Sequence, residues 1–259
     1  MIEVRSTGLR KVPQVTVLFW VVKLLTTALG ESASDFMVNT VDPYLAVGAS
    51  FLVFVIALGI QLRSRRYIPW VYWLAVTMVA VFGTMAADVI HVVLGIPYLV
   101  STVAFAAALA VIFLVWRRVE GTLSIHSITG GRRELFYWAA VLATFALGTA
   151  AGDLLAYTAH LGFLDAGLVF AVLFAIPGLA YRFAGLNATL AFWTSYVVTR
   201  PLGASFADWS GKEPAAGGIG WGDGPVAAVL AVFIVVGVAA MHRQQKTAGQ
   251  PLETASVSR

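Results

Sequence analysis

Four aspartates, Asp35, Asp88, Asp153 and Asp208, close four copies of one construction. In each copy an aromatic pair (Phe19-Trp20, Tyr72-Trp73, Tyr137-Trp138 or Phe192-Trp193) is followed, ten residues after the Trp, by Gly30, Gly83, Gly148 or Gly203. The Asp stands five residues beyond that glycine, with no insertion in any copy. Polar groups gather around the carboxylates. Glu31 is four residues before Asp35 and shares its helix face. His91 lies one turn beyond Asp88, and Thr84 and Thr149 take the place that Glu31 holds in the first copy. Carboxylates and hydroxyls are hard oxygen ligands for Mn²⁺, Mg²⁺ or Ca²⁺, an imidazole shifts preference toward a transition ion, and manganese suits both. Glu31, Asp35, Asp88, His91, Asp153 and Asp208 are therefore the candidate metal ligands. The bland alternative is that each Asp is a solvated or capping residue at a membrane interface.

That alternative arises because the chain reads as an integral membrane protein. Its 259 residues are 59% hydrophobic and 12% charged, with a mean hydropathy of +0.85, far from the roughly half apolar, quarter charged usage of soluble domains. About twenty apolar helical residues cross the hydrocarbon, where only a helix or closed barrel satisfies its own backbone. Eight runs qualify, so the predicted fold is all-α, with eight transmembrane helices arranged as four parallel two-helix repeats over about 12–62, 68–117, 134–182 and 187–241. One transmembrane domain, 1–241, is followed by a polar tail, 242–259, predicted to be disordered. The first apolar run is too long for a cleavable leader and carries the motif, so it is expected to remain as the first span.

Lys and Arg concentrate in the N-terminal segment, the connections after even-numbered spans and the tail; on the opposite side stands Lys212. That bias predicts cytoplasmic termini. It also accounts for the net charge of +4 without a nucleic-acid partner, the expected partners being the bilayer and a small ion or solute. The chain has no Cys, which removes disulfides and thiolate metal sites. No phosphate loop, metalloprotease helix or nucleophile motif occurs, so neither an enzyme nor a bound cofactor is expected, and a divalent cation enters only as substrate.

Fifteen helical residues turn through 1,500°, about 60° from alignment, and rise roughly 22 Å. Each Trp and its Asp thus share a face at opposite ends of a span, and the four carboxylates can converge on one outer vestibule. Trp20, Trp73, Trp138 and Trp193 read as scaffold or interface aromatics, while Gly30, Gly83, Gly148 and Gly203 permit close helix packing or a break beside a ligand. Two cations stand inside spans: Lys23, eight residues before Glu31, and Arg200, eight before Asp208. They approach one another if the first and fourth repeats close a ring, and then serve as internal counter-ions of the acidic site, as binders of an anionic solute, or as structural ion pairs. Pro201 predicts a kink or local break beside Arg200. The Gly-rich stretch 211–224 reads as a flexible loop that could cover the vestibule.

The four motif copies, with Lys-Val-Pro at 11–13, Gly-Glu-Ser at 30–32 and Arg-Pro-Leu-Gly-Ala-Ser at 200–205, resemble bacterial membrane proteins built on a four-fold tandem repeat of unknown function, each repeat having two spans and a characteristic tryptophan. The resemblance covers about residues 11–242. It implies an eight-span inner-membrane protein and supplies no substrate. The second and third copies lack the intramembrane basic residue and the acidic neighbour, so equivalent roles for all four are in doubt.

Three functions compete at this level. The leading one is a secondary transporter exporting a divalent cation such as Mn²⁺ in exchange for protons. The second is a transporter of a small organic or anionic solute held by Arg200 and Lys23. The third is a non-transporting receptor or light sensor, with Lys23 able to carry a Schiff base, although one chromophore would not require the motif four times.

Overall fold

The computed structural model describes residues 10–248, and these form eight α-helices with no strand among them. They are α1 (Val17–Thr40), α2 (Pro43–Arg63), α3 (Pro69–Asp88), α4 (Tyr98–Glu120), α5 (Gly131–Asp153), α6 (Gly162–Phe183), α7 (Ala188–Gly211) and α8 (Asp223–Ala248). Local sequence sets several of the boundaries. The Asp42 carboxylate accepts from Tyr44 and Leu45 N–H with Pro43 in the first helical position, the Asn187 side-chain oxygen accepts from Thr189 and Leu190 N–H, and Gly121 ends α4 in the left-handed region. Seven helices are long and apolar enough to cross a membrane. The exception, α7, carries Arg200, Asp208 and several hydroxyl residues, and most of its length is buried among other helices. The chain is a multi-pass membrane protein.

The odd-numbered helices close a ring. α1 packs on α3 and α7, and α5 packs on the same two. Outside the ring each even helix packs mainly on the odd helix of the next repeat, α2 on α3, α4 on α5 and α6 on α7, and α8 completes the cycle on α1. The two helices of a repeat therefore meet different neighbours, and no repeat can bury its apolar faces alone. A four-copy cycle leaves no copy without a partner.

The motif glycines make this ring possible. A methyl group added at Gly30 would lie 2.5 Å from Ala80 Cβ, and one at Gly83 would lie 3.1 Å from Phe145 Cβ. At Gly148 it would strike Arg200 and Pro201, and at Gly203 it would strike Thr27 and Ala28. In all four cases the contact is the residue seven positions after the Trp of the next copy: Ala80, Phe145, Arg200 or Thr27. One small-residue contact is thus repeated around the ring, with packing as its role. None of the four glycines breaks its helix.

The aromatic pairs fill the opposite end. Phe19 lies against Trp73 and Phe192, Tyr72 against Trp138, and Tyr137 against Trp193, while the Tyr72 and Tyr137 hydroxyls share a hydrogen bond. The Trp end is further closed by the segment before α1. Lys11 N–H donates to Ile128 C=O and Tyr67 N–H donates to Arg10 C=O.

Three expectations are corrected. α7 runs as one α-helix through Pro201 with no break, since α1, α5, α6 and α8 hold it on all sides. The tail is helical as far as Ala248, because the polar positions after Met241 simply extend α8; positions 249–259, like positions 1–9 of the basic N-terminal segment, lie outside the described residues. The Gly-rich stretch is pinned against the end of α7 by Ile219, Gly220, Trp221 and Gly222 N–H donating to Trp209, Lys212, Ser210 and Gly211 C=O. Glycine here permits a tight return of the chain, with Gly217, Gly220 and Gly222 at positive φ.

Candidate functional site at the aspartate end of the ring

The site is built on the last turns of the four ring helices. Carboxylate oxygens of Glu31 and Asp35 on α1 and of Asp208 on α7 all lie within 4.8 Å of one another. Asp88 and Asp153 stand further out, within electrostatic reach of Glu31. Each is directly succeeded by a π-helical turn, Val89–Val93 or Leu154–Thr158, whereas α1 and α7 continue as α-helix past Asp35 and Asp208. A π turn holds one more residue than an α turn and so rotates the next side chains to a new direction. In the second repeat it places His91 against α4, its Nδ1 3.0 Å from Ile96 C=O, its Nε2 3.4 Å from Ser101 Oγ and its ring on Tyr98. His91 is thereby separated from the three-carboxylate group. Only the first and last repeats put their carboxylates in joint ligating distance.

Two cations meet this group. Lys212, just past α7, donates to Asp35 and has Asp223 at 3.7 Å and Asp208 at 4.0 Å. Burial opposes the charge of its ammonium, but Asp35, then Asp208 and Asp223, outweigh burial and hold it above the ordinary lysine value. Asp208 is 5% exposed and makes no side-chain hydrogen bond among the described residues, its nearest cation lying beyond hydrogen-bond range. Arg200, deeper and 1% exposed, donates from Nη2 to Glu31, to Thr84 Oγ1 at 2.8 Å and to Thr149 Oγ1 at 2.9 Å. Its Nε and Nη1 have no partner among the described residues. Six carboxyl groups (Glu31, Asp35, Asp88, Asp153, Asp208 and Asp223) thus surround Arg200 and Lys212. Their oxygens are the hard donors that a cation site requires.

Lys23 sits one layer further toward the Trp end, 1% exposed, with Nζ 4.3 Å from the Phe145 ring centre and 4.5 Å from that of Tyr196. It has no carboxylate partner among the described residues; aromatic faces supply its contact. The ring closure on which its nearness to Arg200 depends is also seen at Thr27 Oγ1, which lies 3.0 Å from Thr199 C=O and 2.7 Å from Leu24 C=O, one proton serving the two carbonyls.

The sequence reading missed a second buried charge cluster, at the Trp end. Lys11 pairs with Glu134 and donates to Leu62 C=O at 3.1 Å, and Gln61 Nε2 donates to Glu134 Oε1 at 3.1 Å. Lys11 reads as one more cytoplasmic cation and Glu134 as a helix start, and nothing local pairs them across 123 residues.

The repeat seen in these contacts is also what comparison with known proteins finds. The family model described as Repeat of Unknown Function (DUF347) matches residues 18–67, 71–122, 136–186 and 191–247, which together make up most of the chain. The chain belongs to that repeat family. Each matched segment holds one odd helix and its even successor, so the DUF347 unit is the hairpin described above. No curated protein and no solved structure matches the chain.

Proposed function

We propose that this protein is a secondary transporter that exports a divalent cation of the Mn²⁺ type across the bacterial inner membrane, in exchange for protons. The observation that carries the reading is the set of Glu31, Asp35 and Asp208 oxygens within 4.8 Å of one another, hard ligands from two ring helices. Lys212 and Arg200 neutralise the group when no substrate is there, and a cation entering must displace at least Lys212. Carboxylates that exchange an internal cation for a metal or a proton are the elements that ion coupling needs.

In this reading all eight helices span the membrane, α7 being tolerated because its polar residues face the ring. The Arg and Lys residues of the Trp end then lie in the cytoplasm with both termini, and the aspartate end opens outward. The site sits toward the outer side, and Lys23 and Arg200 favour release of a cation over its return.

A solute carrying a carboxylate or phosphate is the second reading, favoured by the unpartnered Nε and Nη1 of buried Arg200. The pairing of its Nη2 with Glu31 and the surrounding carboxylates weigh against it. Thermal unfolding of the purified protein with Mn²⁺, Zn²⁺, Mg²⁺ and Ca²⁺ tests the choice. Mn²⁺ is to stabilise the wild type and not Asp35→Asn; equal responses of the two proteins, or none, would count against a metal at this site.

A further inference from the structure

Around the ring, the residue after each motif glycine is Glu31, Thr84, Thr149 or Ala204. Three of these four equivalent positions carry an oxygen, from α1, α3 and α5, and all three oxygens surround one nitrogen, Nη2 of Arg200, which arrives from the fourth helix, α7. This layer lies one helical turn below the aspartates.

The fit between this cage and a guanidinium is poor. Nη2 carries two hydrogens, yet three acceptor oxygens lie within hydrogen-bond distance of it. Neither threonine can ease this by turning its own proton inward for another use, because Thr84 Oγ1 donates to Ala80 C=O at 2.8 Å and Thr149 Oγ1 donates to Phe145 C=O at 3.0 Å. Both hydroxyls therefore present lone pairs to the axis. Meanwhile Nε and Nη1 of the same side chain, 1% exposed, find no partner among the described residues. Three oxygens converging on one point from three helices meet the needs of a spherical cation better than those of a planar, directional donor.

The geometry points to a second cation-binding site on the ring axis, made by Glu31, Thr84 and Thr149, for a monovalent alkali cation, with Arg200 as its tethered occupant. One carboxylate and two neutral hydroxyls balance a single positive charge. Glu31 is shared with the three-carboxylate group above, and the two other oxygens of this layer are neutral hydroxyls, so the divalent substrate is assigned to the carboxylate group and a singly charged ion to this layer. Any part for that ion in the proton-coupled transport proposed above rests on that reading; its binding does not. When Arg200 withdraws the ion replaces its charge beside Glu31, so the pair is never left as a lone buried carboxylate.

The test is thermal unfolding of the full-length protein in detergent, in sodium, potassium or choline chloride at equal ionic strength. Arg200→Ala and Arg200→Gln are to be stabilised saturably by sodium or potassium over choline, and adding Thr84→Val and Thr149→Val to Arg200→Gln is to abolish the effect. Equal stability in all three salts, or an alkali effect that survives loss of both threonines, overturns the inference. The wild type and the Thr84→Val/Thr149→Val pair keep the Arg200–Glu31 contact and are measured beside them. The wild type is to respond at higher salt and the double variant is not, and equal responses from these two overturn the inference should neither Arg200 variant fold. None of these readouts uses Mn²⁺, so a protein that fails to bind Mn²⁺ through Asp35 but shows the alkali effect separates failure of the transport reading from failure of this one.

Discussion

Arg200 on α7 donates a hydrogen bond to Glu31 on α1, joining residues 169 positions apart across the ring, with both side chains almost wholly buried. Removing one charge of such a pair leaves the other uncompensated, which costs about 3–5 kcal/mol, more than the pair itself contributes. Glu31→Gln is therefore expected to unfold well below the wild-type temperature in the same detergent and salt. The double variant Glu31→Gln/Arg200→Gln should recover part of the loss. A single variant as stable as the wild type would show that the two charges do not depend on each other.

Lys212 occupies the group that a substrate cation would occupy. Removing its charge should raise the affinity for Mn²⁺ by about tenfold, since a unit charge about 4 Å away acts with roughly 1–4 kcal/mol at partly buried sites and 1.4 kcal/mol is a factor of ten. Isothermal titration of Lys212→Gln against the wild type measures this, and an unchanged or weaker affinity would contradict it.

The same residue sets a pH dependence. Asp35, Asp208 and Asp223 hold the Lys212 ammonium above the ordinary lysine value despite its burial, so it stays charged until the solution is strongly alkaline. Its folded-state value being raised, the stabilisation it gives is present throughout neutral pH and is lost only as pH rises through that value. The ratio of Mn²⁺ affinities of Lys212→Gln and wild type should accordingly be the same at about pH 6 and about pH 8. A ratio that collapses toward one at the higher pH would mean that Lys212 loses its proton there.

Gly203 packs against Thr27 and Ala28 so closely that a methyl group would overlap both, whereas one at Gly48 would meet nothing within 4 Å. Overpacking of this kind costs typically about 1–3 kcal/mol. Gly203→Ala should lower the unfolding temperature and Gly48→Ala should leave it almost unchanged. If Gly203→Ala is also neutral, the α1–α7 contact has room for a methyl group after all.

Much of the architecture could be read from the chain because it is periodic. The helical class, the repeat register and the polarity of each odd helix come from apolar run length and from fixed Trp, Gly and Asp spacing. The nearness of Lys23 to Arg200 was conditional on ring closure, and the contact of Gly203 with Thr27 supplies that condition. Less legible was anything decided between helices. Sequence spacing places Asp88 and Asp153 on the same footing as Asp35 and Asp208, but only Asp88 and Asp153 are followed by π turns, and His91 is held at α4 with the first. Pro201 reads as a break because local propensity knows nothing of four neighbouring helices. Lys11 and Glu134 each look ordinary alone, and their burial arises only once the N-terminal segment crosses the Trp end. Even the choice of neighbour by the outer helices, each on the next repeat, is a long-range fact without a local mark.

The most direct measurement is Mn²⁺ flux into or out of proteoliposomes containing the purified protein under a proton gradient, compared among the wild type, Asp35→Asn and Asp208→Asn. The account predicts gradient-dependent flux in the wild type and loss of at least nine-tenths of it, about 1.4 kcal/mol or more, in each variant. Flux equal in all three proteins, or no flux above protein-free vesicles, would contradict it.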